Sequence, residues 1–153
     1  TPSEDPLNVF IRKCHIQGPT GGPLSSKSVG LKDHIAVAGV PLTLGSRFME
    51  GYVPDFDASI VTRLLDAGAT IAGKMNMEDF SLGGPGFSGV GDFGRPLNPC
   101  NNAYVTGGSS SGSAAAVVAG EVDIAFGGDQ GGSVRIQGIR YGSRVKVKAV
   151  TKI

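Results

Sequence analysis

Gly107-Gly-Ser-Ser-Ser-Gly-Ser-Ala-Ala-Ala-Val-Val-Ala119 and, after a short apolar run, Gly127-Gly-Asp-Gln-Gly-Gly-Ser-Val-Arg135 decide how this chain folds. The first stretch is a glycine–serine loop that opens into residues 112–120, almost without polar groups. A helix that is apolar all round belongs in a core. Val122-Asp-Ile-Ala-Phe126 then reads as a strand ending at Gly127-Gly128. Helix and strand in alternation predict an α/β layered fold, a mixed β-sheet core flanked by helices.

The same alternation extends upstream. Ala58–Ala67 has Ile60, Val61, Leu64 and Leu65 on one helical face, with Asp57 placed as N-cap and Gly68 as the stop. Thr70-Ile-Ala-Gly-Lys74 reads as a buried strand directly after it. Val29–Ala38 reads as one strand, or as two short ones with Lys32 between them. Residues 1–26 form a proline-rich, irregular lead-in with one strand or helical turn near Val9–Ile16. Asn76–Phe80 opens a short helix. Residues 83–107 are a long loop in which Phe87 and Phe93, with nearby Phe80, serve either a lid or simple packing. From Gln137 to Ile153 the chain has five basic residues and no acidic one. Alternating lysines there favour a solvated edge strand over nucleic-acid contact.

Bulk properties exclude several classes. With 153 residues the chain can bury one modest core. Its net charge of +1 creates no global field for nucleic acid or a membrane surface. No apolar run reaches the ~18 residues of a membrane helix, and no signal peptide is evident. Two cysteines and two histidines, not clustered, argue against a zinc site or a disulfide framework. The expectation is a soluble, cytoplasmic chain without metal or organic cofactor.

Three serine patterns compete for the chemistry. Gly108-Ser-Ser-Ser-Gly112 matches G-x-S-x-G, the nucleophile elbow of α/β-hydrolases, which needs a histidine later in the chain. The two histidines, His15 and His34, both precede it. Gly84-Pro-Gly-Phe-Ser-Gly89 matches G-x-G-x-x-G, but lies in a loop rather than between strand and helix. Gly107–Gly112 could cradle a phosphate at a helix N-terminus, yet it lacks the lysine of a Walker A loop. The third pattern joins Ser109, Ser133 and Lys32. A serine hydroxyl needs a base, and a lysine serves as one once burial disfavours its charged form. Lys32 sits among Val29, Leu31, Ile35 and Val37. Gly131-Gly132 lets the backbone before Ser133 aim consecutive N–H groups at one developing oxyanion.

Residues 27–136 resemble the amidase signature family of serine hydrolases. Val29-Gly-Leu-Lys-Asp-His-Ile-Ala-Val-Ala-Gly-Val-Pro41, Asp57–Ala69, Gly73-Lys-Met-Asn-Met-Glu78, Gly107–Ala116 and Gly127–Ile136 carry the resemblance, in order. It implies a Ser–cis-Ser–Lys triad: Ser133 as acyl nucleophile, Ser109 as the bridging serine at a cis peptide, Lys32 as base. The N–H groups of Gln130, Gly131, Gly132 and Ser133 would form the oxyanion hole. Ser110, Asp129 and Arg135 are expected at the substrate, Arg135 orienting it or pairing with a carboxylate. Lys74 is expected to cap a strand end, and His34 to lie at the surface or pack. The implied activity is hydrolysis of a small-molecule amide, with a homo-oligomer as the form of assembly. The wording of residues 127–133 is closer to broad amidases than to the tRNA-dependent amidotransferase branch. Past Ile136 the sequence departs from the family pattern, which predicts a partial, truncated fold with a divergent basic tail over 137–153. An inert fragment that keeps the motifs is the alternative expectation.

Overall fold

The computed structural model describes residues 5–82 and 92–141. Four strands, β1 (Phe10–Gln17), β2 (Ser28–Lys32), β3 (Thr70–Met75) and β4 (Ile124–Phe126), form one sheet in the order β1-β3-β2-β4. β2 runs parallel to both β3 and β4, and β1 is antiparallel to β3. Among the described residues three α-helices accompany it: α1 (Ser59–Asp66), α2 (Ser111–Ala119) and α3 (Arg135–Tyr141).

Alternation along β2 sorts the core into two layers. Val29 and Leu31 face a cluster with Ile71 and with Val61 and Leu64 of α1. Gly30 and Lys32 face the other way, toward α2. There Val9, Met75 and Val122 pack with Ala115 and Ala116. Gly30 is required at this point, because a Cβ would meet the Met75 sulfur at 2.8 Å. The α2 helix is accordingly buried from Ser111 to Ala116, and Gly120 ends it in the left-handed region at φ 78°.

The register of β3 against β2 slips between Val29 and Gly30. Before the slip Ile71 faces α1; after it Lys74 pairs with Leu31 and Met75 with Lys32. The bulge reverses which residues of β3 point to which layer, and so turns Lys74 inward beneath the end of β2.

Several sequence expectations change. Of the strand or helical turn expected near Val9–Ile16, the structure has the strand: β1 pairs along much of β3. The cap of α1 is Ala58, without a side-chain bond. Asp57 instead accepts the Ala38 N–H at 2.7 Å, tying the segment after β2 to the start of the helix. The short helix after Asn76 is a single 3-10 turn, Asp79–Ser81. The tail is not an edge strand where it is described: α3 runs through Gln137 to Tyr141, with both of those side chains buried. Residues 83–91, with the G-x-G-x-x-G match and Phe87, and the basic stretch 142–153 lie outside the described residues.

Candidate active site

The carboxyl ends of the three parallel strands lie side by side, which is where open α/β sheets collect their chemistry. β2 delivers Lys32 there, β3 leads to Glu78, β4 leads into the loop 127–133, and the Gly107–Ser110 loop enters from the start of α2.

Lys32 is completely buried. Its Nζ donates to Ser109 Oγ at 2.6 Å, joining residues 77 apart in the chain. Burial is the main cause that lowers the Lys32 pKa to about 8, opposed by the negative charges of Glu78 and Asp129. Ser109 follows a cis peptide bond, Gly108–Ser109. Its carbonyl accepts the N–H of Glu78 at 3.2 Å.

The neighbouring serines divide their work. Ser110 takes the N-cap position of α2 without capping it. Its hydroxyl donates to the Gly128 carbonyl at 3.3 Å, and its N–H donates to the Ser133 carbonyl at 3.2 Å. Ser113 Oγ donates to the Phe126 carbonyl at 3.0 Å. These bonds lace the 127–133 loop onto the front of α2 and bring the Ser133 backbone beside the residue that follows Ser109. Ser111 Oγ is buried with no partner among the described residues.

Asp129 organises the loop that carries Ser133. Its Oδ1 accepts the Gly132 N–H at 2.7 Å, and its Oδ2 accepts the N–H groups of Val134 at 3.2 Å and Arg135 at 3.1 Å. The Arg135 guanidinium closes on the same carboxylate through Nε at 3.0 Å and a terminal nitrogen at 2.9 Å. The guanidinium and these backbone bonds hold the Asp129 carboxyl far below the usual carboxylate range. Asp129 and Arg135, expected at the substrate, are thus engaged with each other. Of the four N–H groups expected at an oxyanion, that of Gly132 is taken by Asp129. Those of Gln130, Gly131 and Ser133 make no hydrogen bond among the described residues.

Two residues carry more than their sequence context suggests. Lys74 does not cap a strand end: it is fully buried, 3.2 Å from Asp33 Oδ1, and its Nζ donates to the Asp33 carbonyl at 3.1 Å. Asp33 Oδ2 also accepts from Thr43 N–H and Oγ1, at 2.7 and 2.6 Å. This pair anchors the turn that follows Lys32. Glu78 lies buried behind the Gly108–Ser109 peptide. In the sequence it is marked as the last residue of the Gly73–Glu78 stretch and by the acidic pair Glu78-Asp79, with no role attached. His34 packs against Gly128, and burial, aided by Lys32 and Lys74, lowers its pKa to about 4, so it stays neutral. Among the described residues no group of three His, Cys, Asp or Glu side chains is placed to hold a metal ion.

Comparison with known proteins gives the chain a family. A profile described as Amidase matches residues 11–136. The chain belongs to the amidase family. Amidase-family relatives include a glutamyl-tRNA(Gln) amidotransferase subunit from Haloarcula marismortui, 48% identical over 128 residues, or 84% of this chain and 30% of that protein. An enantioselective amidase from Rhodococcus rhodochrous is 48% identical over 139 residues, 89% of this chain and 26% of its own. Among solved structures, the corresponding glutamyl-tRNA(Gln) amidotransferase subunit of Thermotoga maritima superposes with a TM-score of 0.77 at 37% identity, covering 84% of this chain and 28% of its own. The peptide amidase of Stenotrophomonas maltophilia gives a TM-score of 0.75 at 31% identity, covering 90% of this chain and 32% of its own. The chain therefore spans about a third or less of these amidase-family proteins. The Haloarcula amidotransferase and the Rhodococcus amidase stand at equal identity to it.

Proposed function

We propose that this chain carries the nucleophilic centre of an amide hydrolase that turns a carboxylic amide into acid and ammonia. The observation that carries the reading is the bond from fully buried Lys32 to Ser109, with the Ser133 backbone held on Ser110. Burial makes neutral Lys32 accessible near neutral pH. Neutral Lys32 takes the Ser109 proton as Ser109 takes that of Ser133, and Ser133 Oγ attacks the amide carbon. The negative oxygen of the tetrahedral species is met by the N–H groups of Gln130, Gly131 and Ser133. The proton returns along the same path to the leaving nitrogen, ammonia departs, and water cleaves the resulting ester in the same manner. The steps use no metal or organic cofactor. The substrate is a small molecule and the setting cytoplasmic.

A fluorophosphonate probe tests this, because it reacts with an activated serine whatever the acyl preference. The full chain should be labelled, Ser133→Ala should not, and Lys32→Met should lose most of the labelling. A wild-type chain with a folded circular dichroism spectrum and no labelling would establish the inert fragment instead.

A further inference from the structure

Glu78 is the buried group at this site that the proposed reaction leaves unused. It is 1% exposed, and neither carboxyl oxygen has a hydrogen-bond partner among the described residues. A carboxyl stripped of water and left without donors is costly, so its position demands a reason. The backbone fixes it in place: the Glu78 N–H bonds the carbonyl of Ser109, the residue whose hydroxyl meets Lys32. The side chain fills the space that a Cβ on Gly108 would take, overlapping Oε1, Oε2 and Cδ. The carboxyl thus lies against the Gly108–Ser109 peptide, with Lys32 on the Ser109 hydroxyl.

We propose that Glu78 is a positioning residue acting through Lys32, its buried carboxylate holding the lysine's proton at rest and so setting the pH at which the amine becomes available to Ser109. The catalytic meaning rests on the reading of Lys32 as base; the charge coupling does not.

The other charged groups around Lys32 are already committed. Asp129 is bound to Arg135 and three backbone N–H groups, Asp33 is bound to Lys74 and Thr43, and His34 is neutral. Glu78, by contrast, has neither carboxyl oxygen in a hydrogen bond or ion pair among the described residues. Burial raises its own pKa and Lys32 is the charge that opposes the rise, while Glu78 is the foremost charge holding the Lys32 pKa up. Each charge therefore partly offsets the effect of burial on the other.

The test reads protonation, not turnover. In the full chain with 13C,15N-labelled lysine, the Lys32 signal is assigned by its loss in Lys32→Met and titrated. Glu78→Gln should lower its midpoint by about one unit, the scale of a nearby opposite charge. Glu78→Asp should restore most of the shift. The reciprocal experiment needs no change at Glu78: its 13Cδ midpoint should rise in Lys32→Met, because coupling between two sites is mutual. That measurement decides the matter if Glu78→Gln does not fold. Unmoved midpoints overturn the proposal. Labelling by the fluorophosphonate separates the two readings. A coupled pair in a chain that does not label removes the hydrolase and keeps the coupling. A labelled chain with uncoupled titrations does the reverse.

Discussion

Arg135 closes on Asp129 with two nitrogens, at 3.0 and 2.9 Å, across a six-residue loop that contains Ser133. The two halves of this pair are not equivalent. The Arg135 side chain is 62% exposed and that of Asp129 only 3%. The attraction to Arg135 is screened by water, whereas the carboxylate's three bonds to backbone N–H groups are internal. Asp129→Ala should therefore weaken the fold by about 2 kcal/mol, the scale of losing buried bonds to a charged acceptor. Arg135→Ala should cost clearly less. Thermal melts of the two variants check the order, and equal losses would assign the loop's stability to the ion pair. The depressed Asp129 pKa gives the sign with pH. Its contribution is full above the ordinary carboxylate range and is lost only as pH falls through the lower folded value.

Lys32 makes an opposite prediction, in which function costs stability. Its pKa is lowered from 10.5 to about 8 by burial. A cation whose folded pKa is depressed penalises the fold at and below that value, and the penalty is relieved as pH rises from about 8 toward 10.5. Lys32→Met should then raise the melting temperature at pH 7, by the equivalent of about 1–3 kcal/mol, while removing most of the probe labelling. The gain should shrink as the melts are repeated at higher pH. For wild type, labelling should climb with a midpoint near pH 8, the value set by burial and by the carboxylates around the amine.

Lys74 and Asp33 form a pair whose two side chains are both 0% exposed. Removing one member of a buried pair leaves the other charge uncompensated, at a cost of about 3–5 kcal/mol. Lys74→Met should accordingly unfold a large share of a domain this small, as read by urea titration. Replacing both, Lys74→Met with Asp33→Leu, should recover part of the loss. Double-variant behaviour no better than the single variant would mean that the Thr43 bonds of Asp33, rather than the pair, hold the turn.

Sequence and structure part company at identifiable places. The α1–β3 unit is legible because a one-faced helix and a glycine stop are local signals. The meeting of Lys32 with Ser109 is legible from chemistry: a serine loop without a downstream histidine needs another base, and the motif set supplies the lysine. Lys74 escapes the sequence because a bulge in β3 decides which face it takes, and no residue pattern announces a register slip. Glu78 escapes it because its burial depends on an absent side chain 30 positions away, at Gly108. In the tail, the alternating Arg144, Lys146 and Lys148 that suggest a strand lie outside the described residues. Its described part instead extends the loop after Ser133 into α3, where Ile136 and Arg140 close on Gly107.

The α3 helix leaves a defect that can be repaired. Gln137 is 1% exposed, and both polar atoms of its amide lack a partner among the described residues. The Tyr141 hydroxyl, one turn further on, is in the same condition. An amide desolvated without compensation costs about 1–3 kcal/mol. Leucine has similar bulk and no polar atom to satisfy. Gln137→Leu should stabilise the chain by about 1 kcal/mol or more, raising the melting midpoint without altering the Lys32 titration, since α3 does not contribute to the Lys32–Ser109 contact. Gln137→Ala provides the contrast: it removes the polar atoms and leaves a void, so its gain should be smaller or reversed. If Gln137→Leu instead destabilises the chain, the amide has a partner in solution, and the face of α3 around it is polar by function rather than by accident.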